Sequence, residues 1–432
     1  MNVRTLATVS LGNILEWFDF ALFVYLAPMM GAYFFPAHDP VYASMMAFAV
    51  FAAGFICRPL GGIVFGQLGD RLGRAKTLTI SILTISCSTG MVGLLPSYAQ
   101  IGWVSPLLFT GLRLIHGLSV GGEYTGAVIY LGESASPQHR GFLASFAIVG
   151  ANLGFFLATL MAILLNSVVS PSFAHHWGWR LCFLFSGGVG FLILYHRFKL
   201  QETAVFTHLR NTRKIAAIPL LTALRHAPGK LLQLFALTCM GSTFYFLFFG
   251  YMPNYLAQYF GVSLLKSFSC QALFLLAMLI LIPIAGICGD RFGRKKMLLM
   301  TAIGIIVFTI PCLYLLQQGT VITILSSLAV ASILSSFEQS NNLITFVETC
   351  PANVRYSGIS FTYNLGNAIF GGASPLIFSW LTHNLSLFAS AYYLILMAFI
   401  SFAAILTLRM KHLDANNYIA IRSSIILGKE EL

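Results

Sequence analysis

The 432-residue chain is 58% hydrophobic and only 9% charged, whereas a soluble domain carries about 25% charged residues, so it lacks the polar side chains to cover a water-facing surface. At roughly 20 apolar residues per helical crossing it has room for about a dozen spans, and its unbroken apolar runs exclude a membrane β-barrel, which would show alternating segments of about ten residues. The formal net charge of +12 would suit a nucleic-acid binder, but the basic residues gather in alternate loops, a pattern that membrane topology explains and that excludes nucleic acid as a partner.

The chain opens MNVRTLATVSLGNILEWFDF, without a small-residue cleavage site and with Glu16 and Asp19 where a leader would be uncharged, so it reads as a retained first span. Apolar runs place spans at 10–34, 43–65, 77–95, 103–131, 142–165 and 179–197, then at 231–256, 268–288, 297–316, 320–345, 358–381 and 389–409. The expected units are an N-terminal six-helix bundle (1–197), a cytoplasmic linker (198–230), a C-terminal six-helix bundle (231–410) and a cytoplasmic tail (411–432). The linker is broken by Pro219 and Pro228 and is expected to form a short helix on the inner membrane surface. With the N-terminus inside, the inner loops hold Arg71, Arg74, Lys76, Arg140, Arg197, Arg291, Arg294, Lys295, Lys296 and Arg355, and the outer loops only Lys266. That imbalance puts both termini in the cytoplasm. The eight cysteines lie mostly in apolar runs without metal-ligand spacing and read as free thiols.

Two strings recur at about half a chain length. GQLGDRLGRAK at Gly66–Lys76 returns as GICGDRFGRKK at Gly286–Lys296, each between the second and third spans of its half. ESASPQHRG from Glu133 is answered by ETCPANVRYSG from Glu348 after the fourth span, and NLG follows both times, at 152–154 and 364–366. The chain is therefore a duplicated membrane unit.

The glycine-spaced, charge-dense strings resemble the signature loop of the major facilitator superfamily. GNILEWFDF (Gly12–Phe20), RPLGGIVFGQLGDRLGR (Arg58–Arg74), RLIHGLSVGGEYTGA (Arg113–Ala127), the HRG at His139 and the GWR at Gly178 are similar to its metabolite:proton symporter branch, whose members include permeases for proline and betaine, α-ketoglutarate, shikimate and citrate. The resemblance implies an all-α membrane protein of twelve transmembrane helices in two pseudo-symmetric six-helix bundles, each with internal inverted repeats. It implies a proton-coupled secondary transporter rather than an enzyme, sited in a bacterial inner membrane and monomeric, with a small solute and the proton as partners beside the lipid bilayer. It also implies that Gly66, Asp70, Arg71, Arg74, Gly286, Asp290, Arg291 and Arg294 form a conformational latch that does not touch the solute. The long coiled-coil tail of some proline/betaine osmosensors has no counterpart here, so osmotic sensing is not implied.

The residues that choose the cargo are the charges inside spans, since a carboxylate or guanidinium in hydrocarbon is functional by default. Glu16 and Asp19 lie about 60° apart around the first helix and can share one cavity. Asp19 is the first candidate for proton carrier, then Glu16, with Glu123 a further turn along the fourth span; the alternative is a permanent strut to Arg58 or Arg113. Arg113 either binds a substrate carboxylate, which its fork matches, or pairs with an acid. Arg58 is placed to pair Glu123 or Glu16. His116 is a proton relay or a packing group, and Glu338 lines a cavity or packs helices.

Trp17, Tyr124, Phe244, Tyr245, Tyr251, Tyr255 and Tyr363 are candidate lining residues, because aromatic faces recognise a quaternary ammonium. No phosphate-cradling loop occurs, so no nucleotide or other cofactor is called for and no metal site is predicted. Acids together with arginines suit a zwitterion such as proline, betaine or another amino acid. Di- and tricarboxylates such as α-ketoglutarate or citrate are the alternative, and a proton-driven exporter of drugs or siderophores is a further one. The fifth span, GANLGFFLA, lacks the glycine-proline pattern of proton-antiporting exporters.

Overall fold

The computed structural model describes residues 2–36, 40–167, 170–173 and 177–409, so the expected tail at 411–432 falls outside the described residues. Among them the chain is helical, without strands. The first six long helices are α1 (Val3–Phe34), α2 (Pro40–Arg71), α3 (Arg74–Leu94), α4 (Val104–Ser134), α5 (Arg140–Ser167) and α6 (Trp179–Arg197). The second six are α7 (Pro228–Phe260), α8 (Leu264–Phe292), α9 (Arg294–Gln317), α10 (Val321–Thr349), α11 (355–384) and α12 (Ala389–Thr407).

Eleven of these are continuous helices long and apolar enough to cross a membrane. The other is α11, which is divided into Arg355–Gly366, a π-helical turn at Asn367–Gly372, and Ser374–Asn384. α7 carries a matching π-helical turn at Leu247–Tyr251. Such turns release backbone groups from the regular ladder and recur at functional sites.

Several helices run beyond the apolar windows at the end of the molecule that holds the linker. α2 continues to Arg71, α4 to Ser134 and α10 to Thr349, through polar strings that hydropathy reads as loop. In place of one short surface helix the linker forms two, Ala204–Asn211 and Pro219–His226. Phe206 of the first is buried under the Arg74 guanidinium, 5.2 Å from its ring centroid, and Leu220 and Ala223 of the second are buried too. The linker is therefore docked against the helix ends.

Within the first half α1 packs on α5, α2 on α4 and α3 on α6; the halves meet where α2 crosses α11 and α5 crosses α8. The two crossings use equivalent glycines. A Cβ on Gly66 would stand 2.7 Å from the Ser357 Cα, and one on Gly286 would stand 2.7 Å from the Gly141 carbonyl oxygen. No side chain fits either position, which explains why the repeated string begins with glycine.

Gly66→Val should lower the unfolding midpoint in detergent by the equivalent of the ~1–3 kcal/mol typical of overpacking. Gly111→Ala, on a face of α4 with nothing within 4 Å of the new Cβ, should leave it unchanged. Equal shifts in the two variants would remove the close-approach explanation.

Candidate functional site

Helix N-termini present free N–H groups and a partial positive charge, and in each crossing an aspartate from one half caps a helix of the other. Asp70, at the end of α2, accepts the backbone N–H of Tyr356 at 3.1 Å and of Ser357 at 2.8 Å, in the first turn of α11. Asp290, at the end of α8, accepts the N–H groups of Gly141 and Phe142, both at 2.9 Å, in the first turn of α5. Arg74 and Arg294 each pair with the aspartate four residues before them.

Arg74 also reaches Glu133 at 3.2 Å, and Arg355 meets the other oxygen of Glu133 at 2.7 Å across the interface. Thr203 of the linker donates to Glu133, and Glu202 accepts the N–H groups of Arg74 and Ala75 at the start of α3. Burial raises the Glu202 carboxyl pKa, while those N–H groups and Arg74 oppose the rise. Arg294 also reaches Glu348 at 3.4 Å.

The structure thus joins Gly66, Asp70, Arg74, Gly286, Asp290 and Arg294 in one closed surface at the linker end, while Arg71 and Arg291 are exposed. Glu133, Glu348, Arg355 and Glu202 belong to the same network and were not singled out from sequence. For the first two the signal was present, since they open the second repeat.

Midway along the bundle, helices of both halves enclose a pocket. Its lining includes Trp17, Tyr124, Asn152 and Phe155 from the first half and Tyr245, Glu338, Gln339, Asn342, Tyr363 and Asn367 from the second. The pocket measures about 50 Å³ at the centres of water-sized spheres, several times the 10–15 Å³ or so that one water needs, a scale suited to a few waters or one small solute. Trp17 meets Tyr124 edge-on at 5.5 Å and Phe155 at 5.0 Å, and Tyr124 lies 5.6 Å from Tyr363 across the halves. The π-helical turn of α11 borders it through Asn367, and Phe246, the residue before the turn of α7, lines it too. Of the candidate solute-binding residues, Trp17, Tyr124, Tyr245, Glu338 and Tyr363 line this pocket, whereas Phe244, Tyr251, Tyr255, Arg58 and Arg113 do not. Glu338 is buried and accepts from Asn342.

The remaining charges sit within the first half in three groups. Asp19 pairs with Arg113 at 2.8 Å and lies 3.2 Å from His116 Nε2, while His116 Nδ1 faces Thr89 at 3.3 Å. Arg58 stands 5.0 Å over the Trp17 ring and 4.9 Å over Phe55; its Nε donates to Asn364 at 3.3 Å, and neither Nη has a partner among the described residues. Glu16 is fully buried with no hydrogen bond to either oxygen there.

Glu123 forms the third group, joined by Arg197 and Ser81. Arg58 pairs with neither Glu123 nor Glu16, contrary to the expected pairing. Glu123 faces the end of α6, and Gly12 of α1 leaves room for the Arg197 guanidinium, which also donates to the Val9 and Leu78 carbonyls. Arg197 counted in the sequence only as a loop charge. A second cavity, about 20 Å³ by the same measure, is bordered by Phe20, Arg58, Arg113 and His116 and so separates the Asp19 group from Arg58.

This is the arrangement of a two-bundle carrier with a central site, and residues 9–375 match the family model described as Major Facilitator Superfamily. The chain belongs to that family, whose members are transporters and not enzymes. It is 32% identical over 410 residues to the proline/betaine transporter of Salmonella typhimurium, covering 92% of this chain and 81% of that one. It is 34% identical to the inner membrane metabolite transport protein YhjE of Escherichia coli, covering 93% of each. In fold it is similar to the proton:xylose symporter XylE bound to 6-bromo-6-deoxy-D-glucose, with a TM-score of 0.77, 17% identity, and 93% and 94% of the two chains covered.

Asp70→Asn keeps the shape of the side chain but removes the charge that strengthens its two N–H contacts, a difference of about tenfold or more in an equilibrium. With Ser360→Cys as reporter in the buried α2–α11 contact, labelling by a water-soluble maleimide, mapped by peptide mass, should speed up by that factor. An unchanged rate would mean that the aspartate does not hold the interface.

Proposed function

We propose that this chain is a proton-coupled importer of a small zwitterion, with proline or a betaine as the leading candidates, working by alternating access. The observation that carries the reading is one pocket with a carboxylate, Glu338, on one wall and the Arg58 guanidinium one ring away behind Trp17. A zwitterion offers its cationic end to Glu338 and the aromatic faces, where cation–π attraction adds to the ion pair. Its carboxylate can take the free Nη groups of Arg58. A di- or tricarboxylate would set its second charge against Glu338, so that reading is disfavoured. The names of the relatives point the same way.

In the proposed cycle Asp19 is the proton carrier. Its carboxylate takes a proton and becomes neutral, which weakens the 2.8 Å pair with Arg113 and frees that guanidinium to shift toward the small cavity shared with Arg58 and His116. Glu16 is a second carboxylate poised to accept Arg58 or a proton. Glu123, tied to Arg197 and Ser81, serves as a structural strut inside the first half.

The latch network closes the linker end, so the solute enters from the other side; basic residues concentrate at the linker end, which we assign to the cytoplasm together with both termini. The carrier acts as a monomer, its site being complete within one chain. Its two bundles, 1–197 and 231–410, rock about the pocket.

The test is uptake into proteoliposomes of the full chain, with and without an imposed pH gradient, of proline, glycine betaine, α-ketoglutarate and citrate. Proline or betaine should accumulate only with the gradient and discharge on adding a protonophore; accumulation of α-ketoglutarate or citrate alone would overturn the zwitterion assignment, and binding without flux would make the chain a sensor.

Asp19→Asn should abolish gradient-driven accumulation while retaining solute exchange; full accumulation would remove Asp19 from coupling. Glu338→Gln should raise KM for proline and betaine about tenfold, the scale of one charge-assisted contact. An unchanged KM would place the cationic end elsewhere.

A further inference from the structure

The NLG repeat places an asparagine at the same point of the fifth helix of each half, and the two amides are used in matching ways. Each donates to the carbonyl four residues earlier in its own helix: Asn152 to Ile148 at 3.0 Å, Asn364 to Ser360 at 2.7 Å. Each then reaches into the opposite half. Asn152 donates to Gln339 at 3.2 Å and accepts from the Tyr245 hydroxyl at 3.2 Å. Asn364 donates to the Gly121 carbonyl at 2.7 Å and accepts from Arg58 Nε at 3.3 Å. Both side chains are 1% exposed, so no bulk water replaces these bonds when they break.

The partners differ in kind. Those of Asn152 line the solute pocket, whereas Asn364 holds Arg58, a buried guanidinium whose two Nη groups lack partners among the described residues, close to a buried Glu16 that also lacks one there. We propose that Asn152 and Asn364 are a pair of clasps between the halves, and that Asn364 is the positioning residue that keeps the carrier from opening toward the linker side until Arg58 has an anion to bind. The inference rests on the transport reading above.

Opening that side parts α2 from α11 and breaks the Arg58–Asn364 bond. With no solute present, the buried Arg58 then loses its one hydrogen bond among the described residues, a disfavoured state for a buried polar group. A solute carboxylate on its Nη groups removes that penalty, so the loaded carrier opens and the merely protonated one does not. Asn364 thereby prevents protons from slipping through without cargo. The first clasp has a different effect: Asn152 senses the solute, because its partners move when the pocket fills.

The test uses the full chain in proteoliposomes, comparing wild type, Asn364→Ala, Asn364→Asp and Asn152→Ala. It measures gradient-driven proline accumulation, proline exchange, and solute-free proton entry with an internal pH dye, and adds maleimide labelling of the Ser360→Cys reporter without solute. Thermal unfolding in detergent checks that each variant is folded.

Asn364→Ala should keep exchange within about twofold of wild type, lose about tenfold in accumulation, admit protons without solute, and label faster by about the same tenfold factor. Asn364→Asp, which grips Arg58 with a full charge, should slow exchange and show no slip. Asn152→Ala should raise the exchange KM about tenfold without slip.

A folded Asn364→Ala that loses exchange and accumulation together, or shows neither slip nor faster labelling, would overturn the proposal. If wild type moves neither proline nor betaine, the zwitterion reading fails, while the labelling rates still decide whether Asn364 holds the linker side closed.

Discussion

Each half of the molecule offers one carboxylate to the first turn of a helix in the other half, and the remaining geometry depends on that exchange. Asp70 on α11 and Asp290 on α5 neutralise N–H groups that would otherwise be orphaned at a buried helix end. The contact is strong because the acceptor is ionised, and it is directional because two N–H groups bind two oxygens. It is also brittle: a small separation of α2 from α11 loses both bonds at once. A surface that is tight when closed and lost in one step when opened is bistable, as a rocking carrier requires.

Symmetry at the ends gives way to asymmetry in the middle. The aspartate cap is duplicated, yet the titratable groups Glu16, Asp19, His116 and Arg113 belong to the first half and Glu338 to the second. Two copies of one structural unit can share that cap because each presents a buried helix N-terminus to the other half. They do not share a pocket wall, since the lining residues of the two halves differ in kind. The NLG repeat joins these two regimes: one asparagine frame is retained in both halves, and its crossing partners have diverged into a pocket pair and a charge pair.

The glycines set how near the halves come. With Gly66 and Gly286 at the crossings, backbone meets backbone at distances no side chain permits, so the helices of the two halves are in close contact there. Electrostatic contacts are strongest where charges are buried, as in the 2.8 Å pair of Asp19 with Arg113.

Much of this was legible in the chain itself. Apolar run length yields twelve crossings, because hydrocarbon thickness dictates how many residues a helix needs, and the repeated GxxGDRxGR string marks both latches, because close approach and a capping carboxylate each demand one residue type. Five of the candidate lining residues followed from aromatic and acidic residues within spans, while Arg58 and Arg113 fall outside the pocket. What the chain alone left open was pairing: that Glu123 takes Arg197 rather than Arg58, that Glu133 joins Arg74 to Arg355, and that α11 breaks at Asn367–Gly372. Those contacts join residues distant in sequence, and their partners are chosen by how twelve helices pack, a property that period and composition along a single helix do not carry.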